Sequence, residues 1–577
     1  VKDGAAMAVA PCEVSMALWA DASTVLRERP AGWAVDDEEN EVQGLKGRST
    51  MLFEEVDEEK QEEKDAKTAK GDGRVPLDED TKRLFDVAAC LLLAKRDSDE
   101  YHDKDDEDPP SYCLLEECLW KDLATIAWSY AHIGLTSSRI IRAISAEATS
   151  RLLALCAADK GKDRDLNHAR PLPRDVATLC WSLSTLQADC GLLHAAADAL
   201  LRAASLYLRR SPVRAPNLRH WTSEDLVQLA SALAHARRDD MSLLVPLYEE
   251  AVSRIKTLSS HEISVLLWSQ ARLYLGGRRR GGDEEVADDP SAPAVFATFP
   301  VRASWEILSR LRCHGETALG PQERANVAWS LTVLEAYAVP EGEDTATPLL
   351  CRIFEDAARD PPSALRPEHA HQLWQAAFLL GSGDGPGCLP PASPARTALE
   401  ERLAESWARE KGRRKISSQR HKALSETLDG MGVRHCNEHA EDIDVAIVLD
   451  QGCGWTQFAT VDEGEDGDGD AAEERRELRH RVAVEFDGPD HFTVPEEGRG
   501  GPRALGHTVL KYRMLRRQGW AVVRVPYYEF DKIPYWASME RRRYLQRLLR
   551  THESICFSEC DVSEYIAMVP NRKSRFD

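Results

Sequence analysis

The chain has 577 residues, a formal net charge of −23 and 43% hydrophobic residues. That length exceeds what one core can serve, so several domains or a repeat array are expected. No apolar run approaches the ~20 residues needed to cross a bilayer, so no membrane span is expected.

The chain opens on Val1 rather than Met, so a targeting peptide is neither read nor excluded. Asp36–Asp108 holds 26 acidic against 12 basic residues. Residues 1–110 therefore read as an acidic, largely disordered N-terminal region. The 14 cysteines show no Cys-x-x-Cys pair and no zinc-ligand spacing. Reduced, buried thiols are the expected state.

Residues 111–410 repeat themselves. Leu123–Ala131 (LATIAWSYA) is echoed by Val176–Ser184, Leu226–Ala234, Ile263–Ala271, Ala325–Thr332 and Ala370–Ala377. The aligned positions are Trp128, Trp181, Ser231, Trp268, Trp329 and Trp374, at intervals of 37 to 61 residues. Each unit has apolar residues at helical spacing. Asp122, Asp175, Asp225 and Glu262 stand where first-turn capping carboxylates belong. Second helices are expected near 140–155, 192–207 and 244–258. Helix pairs that cannot bury their faces alone stack into an α-solenoid. The tryptophans lie inside the apolar stripe and are expected at the interfaces between units rather than against bases. Gly276–Pro293 reads as a loop insertion, Gly381–Pro394 as the close of the array, and Lys411–Lys415 as a basic hinge.

The C-terminal region carries the chemistry. In Arg481–Phe492 (RVAVEFDGPDHF), Val482, Val484 and Phe486 alternate with Ala483, Glu485 and Asp487. This is a strand with carboxylates on one face. Asp487-Gly488-Pro489 ends it in a turn. Gly506–Trp520 reads as a basic helix and Ala521–Phe530 as a further strand; if that segment is extended, at least one of the adjacent Tyr527 and Tyr528 faces outward. Trp520 is expected in the core. Arg503–Arg550 holds 12 basic against 3 acidic residues, a local patch that a phosphate backbone would feel despite the global charge. An acidic run at 461–477 reads as a solvated insertion.

Asp442-Ile-Asp444, the Val-Glu-Phe-Asp-Gly-Pro-Asp-His-Phe run, Thr508–Arg513, Gly519-Trp520 and Val525–Tyr527 occur in an order that resembles the RAP domain. The resemblance covers roughly 417–549. It implies an α/β fold similar to PD-(D/E)xK restriction-endonuclease-like domains, placed after helical repeats. The repeats resemble octotricopeptide and Fas-activated kinase-like arrays. The expected fold is thus mostly α, a solenoid followed by a small α/β domain over 411–555, with a tail at 556–577. The resemblance implies an RNA-binding protein of mitochondria or plastids, with mRNA or rRNA as partner alongside ribonucleoprotein components. Its roles would be RNA processing, stability, translation or ribosome assembly.

On that reading His491, Lys511, Arg513, Arg516, Arg517, Arg524, Tyr527 and Tyr528 contact RNA and no cofactor is needed. The alternative is a ribonuclease using Asp444, Glu485, Asp487 and Lys511 around Mg²⁺, with His491 as a possible base. There Asp487 stands where that motif wants Lys, and Lys511 would be a migrated one. A third reading is a structural component of a ribonucleoprotein assembly.

Overall fold

The computed structural model describes residues 79–96, 112–136, 138–157, 170–189, 193–209, 218–276, 293–314, 318–338, 344–381, 393–411, 418–433, 435–439, 443–448, 481–495 and 501–550, with short pieces at 14–20, 22, 389, 456–457 and 556–557. The expected insertion at 461–477, most of the acidic N-terminal region, residues 412–415 of the hinge and most of the tail lie outside these. The chain divides into two compact units, Val1–Ala236 and Arg237–Asp577.

In the first unit α1 (Glu79–Leu93) precedes α2 (Trp120–Ile133), α3 (Ser138–Ala157), α4 (Pro173–Asp189), α5 (His194–Arg209) and α6 (Ser223–His235). The first helices of successive pairs stack α2 on α4 on α6, and the second helices stack α3 on α5. This two-layer order is an α-solenoid. The acidic starts cap these helices: the Leu119, Leu172 and Thr222 N–H groups donate to Asp122, Asp175 and Asp225 at 3.0, 3.0 and 2.9 Å. Each bond satisfies an orphan donor of a first turn. The first helices are knitted by polar and ring contacts, with Thr178 Oγ1 donating to Gln228 at 3.1 Å and the His132 ring 5.2 Å from Trp181.

The second unit continues with α7 (Met241–Ser253), α8 (Ser260–Arg272), α9 (Val295–His314), α10 (Pro321–Val333), α11 (Ala346–Arg359), α12 (Pro367–Leu380) and α13 (Pro394–Lys411). Here α8, α10 and α12 form one layer and α7, α9, α11 and α13 the other. Trp268 and Trp329 are buried, and Trp329 Nε1 donates to Gln375 on α12 at 2.9 Å. These rings sit between helices, as their place in the apolar stripe implies. Gly381–Pro394 does not close the array, because α13 follows it and packs on α11 and α12.

The α/β domain follows in the same unit. It comprises α14 (Gln419–Gly430), β1 (Cys436–His439), β2 (Ile443–Val448), β3 (Arg481–Asp487), α15 (Gly506–Arg517), β4 (Ala521–Pro526), the one-turn α16 (Tyr527–Phe530) and α17 (Ser538–Arg550). The sheet order is β1-β2-β3-β4, antiparallel except for the parallel β3–β4 pair. One face carries Val445, Ile447, Val482, Val484, Phe486, Val523 and Val525 against Leu424 and Leu428 of α14 and Leu545 and Leu549 of α17. The other carries Ala446 and Ala483 against Leu515 and Trp520, so Trp520 is core. Small alanines there let α15 approach the strand that bears the carboxylates. Among the described residues no helix is long and apolar enough to cross a membrane.

Candidate nucleic-acid interface

The alternation of β3 puts Glu485 and Asp487 on the α15 face, and both are about 2% exposed. The β2–β3 register sets Val445 opposite Val484, which brings Asp444 across from Glu485. Lys511 then completes the group, its Nζ 2.6 Å from Glu485 Oε2. The Asp444 carboxylate accepts the Phe486 N–H at 3.0 Å and lies 3.2 Å from His421 Nε2. Asp487 accepts from the Tyr512 hydroxyl, and Arg524 Nε lies 3.3 Å from it. Each buried carboxylate thus has a partner, as burial of charge demands.

The electrostatics follow from two carboxylates facing one ammonium. Burial alone would raise the Asp444 carboxyl, but the Lys511 charge and the His421 hydrogen bond hold it well below the usual range. Burial pushes the Glu485 carboxyl up to about 7 despite Lys511, with the Asp444 charge adding to the rise. Lys511 is held protonated by Glu485 and Asp444 against its own burial.

These shifts give stability a pH dependence of definite sign. Glu485 binds its proton more tightly folded than at its ordinary 4.5. Its contribution to stability is full below that value and is lost as pH rises through about 7. Asp444 works the other way, contributing above its ordinary 3.8 and losing that contribution as pH falls further. Glu485→Gln, neutral throughout, is expected to flatten the decline in Tm between the glutamate's ordinary 4.5 and about 7. Thermal melts of both proteins across that range check it, and parallel declines would refute the assignment.

The donor set does not fit a divalent cation as it stands. Mg²⁺ demands carboxylate oxygens and waters in near-octahedral array. Here the Lys511 ammonium takes the charge of Glu485 and Asp444, while Asp487 turns to Tyr512 and Arg524. Among the described residues no three His, Cys, Asp or Glu side chains form a metal-ligand group. His491 faces inward, its Nδ1 3.0 Å from Thr508 Oγ1 and its ring 5.7 Å from that of His507, and burial keeps it neutral.

The basic helix α15 faces the array rather than solvent. Arg513 Nη1 donates to the Val333 and Thr332 carbonyls at 2.8 and 3.3 Å, the last residues of α10. Its Nη2 donates to Tyr274 Oη at 2.8 Å and lies 3.3 Å from Glu335. Arg517 donates to the Leu379 and Gly381 carbonyls at the end of α12, at 2.8 and 2.5 Å. Cations placed on helix C-termini meet the negative end of the macrodipole as well as the orphan carbonyls. Of the arginines expected on RNA from α15, only Arg516 is exposed.

Sequence reasoning missed the array side of this contact. Arg237, Tyr274 and Glu335 have φ of 57°, 52° and 50°, in the left-handed region where Gly is usual after a helix. All three side chains meet the α/β domain. Arg237 donates to the Pro489 carbonyl at 2.8 Å and pairs with Asp490 at 2.5 Å, and Tyr274 and Glu335 hold Arg513. Asp239 adds an ion pair to Arg503 at 2.9 Å. A side chain there makes contacts that Gly could not, which offsets the backbone cost.

Tyr527 and Tyr528 are not extended. They begin α16, because Pro526 ends the strand and stands as the N-cap. Their rings pack on Phe492 at 5.8 and 5.2 Å and on each other at 5.6 Å.

Comparison with known proteins agrees with the geometry at the C-terminal end. Residues 484–548 match the RAP domain. A 112-residue stretch is 35% identical to FAST kinase domain-containing protein 3, mitochondrial, of Rattus norvegicus. That stretch covers 19% of this chain and 14% of the rat protein.

Proposed function

We propose, for a chain that carries a RAP domain at residues 484–548, the role of a mitochondrial RNA-binding protein that holds RNA without cleaving it. The RAP domain supports the RNA, and the mitochondrial name of the rat relative supports the compartment. Processing, stability, translation and ribosome assembly are the functions such a binder would serve, with mRNA or rRNA as the partner. The observation that carries binding without chemistry is Asp487, which stands where the nuclease motif wants Lys and is engaged by Tyr512 and Arg524 rather than turned to a metal. In this reading Asp444, Glu485, Asp487, Lys511 and Arg524 form a structural ion-pair network that fixes α15 on the sheet.

Cleavage is the second reading, favoured by one fact: Asp444, Glu485 and Lys511 do come together on one sheet face. One assay separates them. Wild type and Glu485→Gln/Asp487→Asn are incubated with mixed RNA in Mg²⁺ or Mn²⁺, and both binding and cleavage are read. Salt-sensitive binding with no cleavage by either protein is expected. Metal-dependent cleavage by the wild type, lost in the variant, would overturn the proposal.

A further inference from the structure

Arg513 and Arg517 of α15 are engaged with the array and Lys511 with Glu485, which leaves Arg516 as the exposed cation of that helix, and a track of several exposed cations lies elsewhere on the domain. That track is on α17, which turns a basic face outward. Its buried side is Met539, Tyr544, Leu545, Gln546 and Leu549. Its opposite side carries Arg543, Arg547 and Arg550, all exposed, at i, i+4 and i+7. The helix holds five arginines against one glutamate. Successive arginines on that stripe rise by about 6 and 4.5 Å, steps comparable to those between phosphates of an extended strand.

Immediately before α17 stand two exposed aromatics. Tyr535 is 78% and Trp536 55% exposed, while the other aromatic side chains described in the α/β domain are buried or half-buried. Water-facing rings side by side are costly to leave uncovered and suit a stacking partner. The turn that presents them is braced. Ala537 N–H donates to the Pro534 carbonyl at 2.9 Å, Arg541 to the Ile533 carbonyl at 3.2 Å, and Arg420 pairs with Asp531 at 2.8 Å. Lys532 adds an exposed charge beside the pair.

We propose that Tyr535 and Trp536 form a base-stacking platform for single-stranded RNA, whose phosphates run along Arg543, Arg547 and Arg550 of α17. Aromatic platforms beside a cationic track are the general solution for unpaired strands, because every base has a stacking face. Duplex RNA hides those faces, so the site discriminates against it. The proposal rests on the RNA-binding reading and places it on a surface.

The test uses the full chain with a fluorescently labelled oligouridylate and a duplex RNA of equal length. Tyr535→Ala/Trp536→Ala is expected to weaken single-strand binding about tenfold or more, with Tm unchanged because both side chains are exposed. Tyr535→Phe/Trp536→Phe is expected to restore it. Arg543→Gln/Arg547→Gln is expected to reduce the slope of log affinity against log salt by about 1.4. If the wild type binds and every variant binds equally, the platform is wrong while RNA binding stands. If the wild type binds neither RNA, the functional reading falls with it. Equal losses on single strand and duplex would overturn stacking.

Discussion

Gly506→Ala is expected to unseat α15 from the helical array. Gly506 is the first residue of α15 and packs directly on backbone: a Cβ there would lie 2.0 Å from the Ala271 carbonyl oxygen and 2.8 Å from Val333 Cγ1. No rotamer relieves such a clash, because Ala271 sits in the last turn of α8 and its carbonyl is fixed by the helix. Overpacking of this kind costs about 3 kcal/mol when the chain can shift, and more when it cannot. The expected readout is a fall of several degrees in Tm, with faster proteolysis between the array and the α/β domain. An unchanged melt would mean that α15 does not rest on α8. Gly501, whose Cβ would meet nothing within 4 Å, supplies the control: Gly501→Ala is expected to be silent.

The sequence makes the carboxylate face legible and leaves its partners illegible. Alternation along Val482–Asp487 is sufficient to place Glu485 and Asp487 on one face, and the helical phase of α15 to bring Lys511 near them. The repeated Trp positions mark the first helix of each pair, since a large ring in an apolar stripe fits an interface between units. What the sequence hides is the fate of the cations. An arginine on an amphipathic helix looks the same whether it meets a phosphate or a carbonyl, and the carbonyls that hold Arg513 belong to residues 180 and 181 positions earlier. Backbone acceptors have no sequence signature. The non-glycine residues at positive φ are equally silent, because Leu273-Tyr274-Leu275 and Leu334-Glu335-Ala336 read as ordinary helix continuation. The extended conformation expected of Tyr527-Tyr528 fails because Pro526 ends β4 instead of continuing it.

These differences share a physical origin. The basic character of Arg503–Arg550 is a sum over residues with different tasks. Arg503, Arg513 and Arg517 join the domain to the array, Arg524 and Lys511 neutralise β3, and Arg543 and Arg547 remain outward. Net charge describes what a distant phosphate feels, whereas burial decides which charges a bound phosphate can touch.

Arg513→Ala distinguishes these tasks most sharply. Removing the guanidinium leaves the Val333 and Thr332 carbonyls, Tyr274 Oη and the Glu335 carboxylate without the donor that joins them. Glu335 is 10% exposed, and Arg513 itself 18%, so water does not readily replace what is lost. Breaking such a pair by deleting one partner costs about 3 kcal/mol, most of it from the charge left behind. Arg513→Lys is expected to recover only part of this, because an ammonium cannot fork to two carbonyls and a hydroxyl in one plane. Arg513→Ala/Glu335→Ala is expected to be more stable than Arg513→Ala alone, since it removes the stranded carboxylate. Tm and RNA affinity measured on the same preparations decide between the two roles. A large loss of stability, with the affinity of the remaining folded protein nearly unchanged, assigns Arg513 to the joint between array and domain. Stability retained with a weakened, less salt-sensitive RNA complex would return it to the RNA surface and place α15, not α17, against the phosphates.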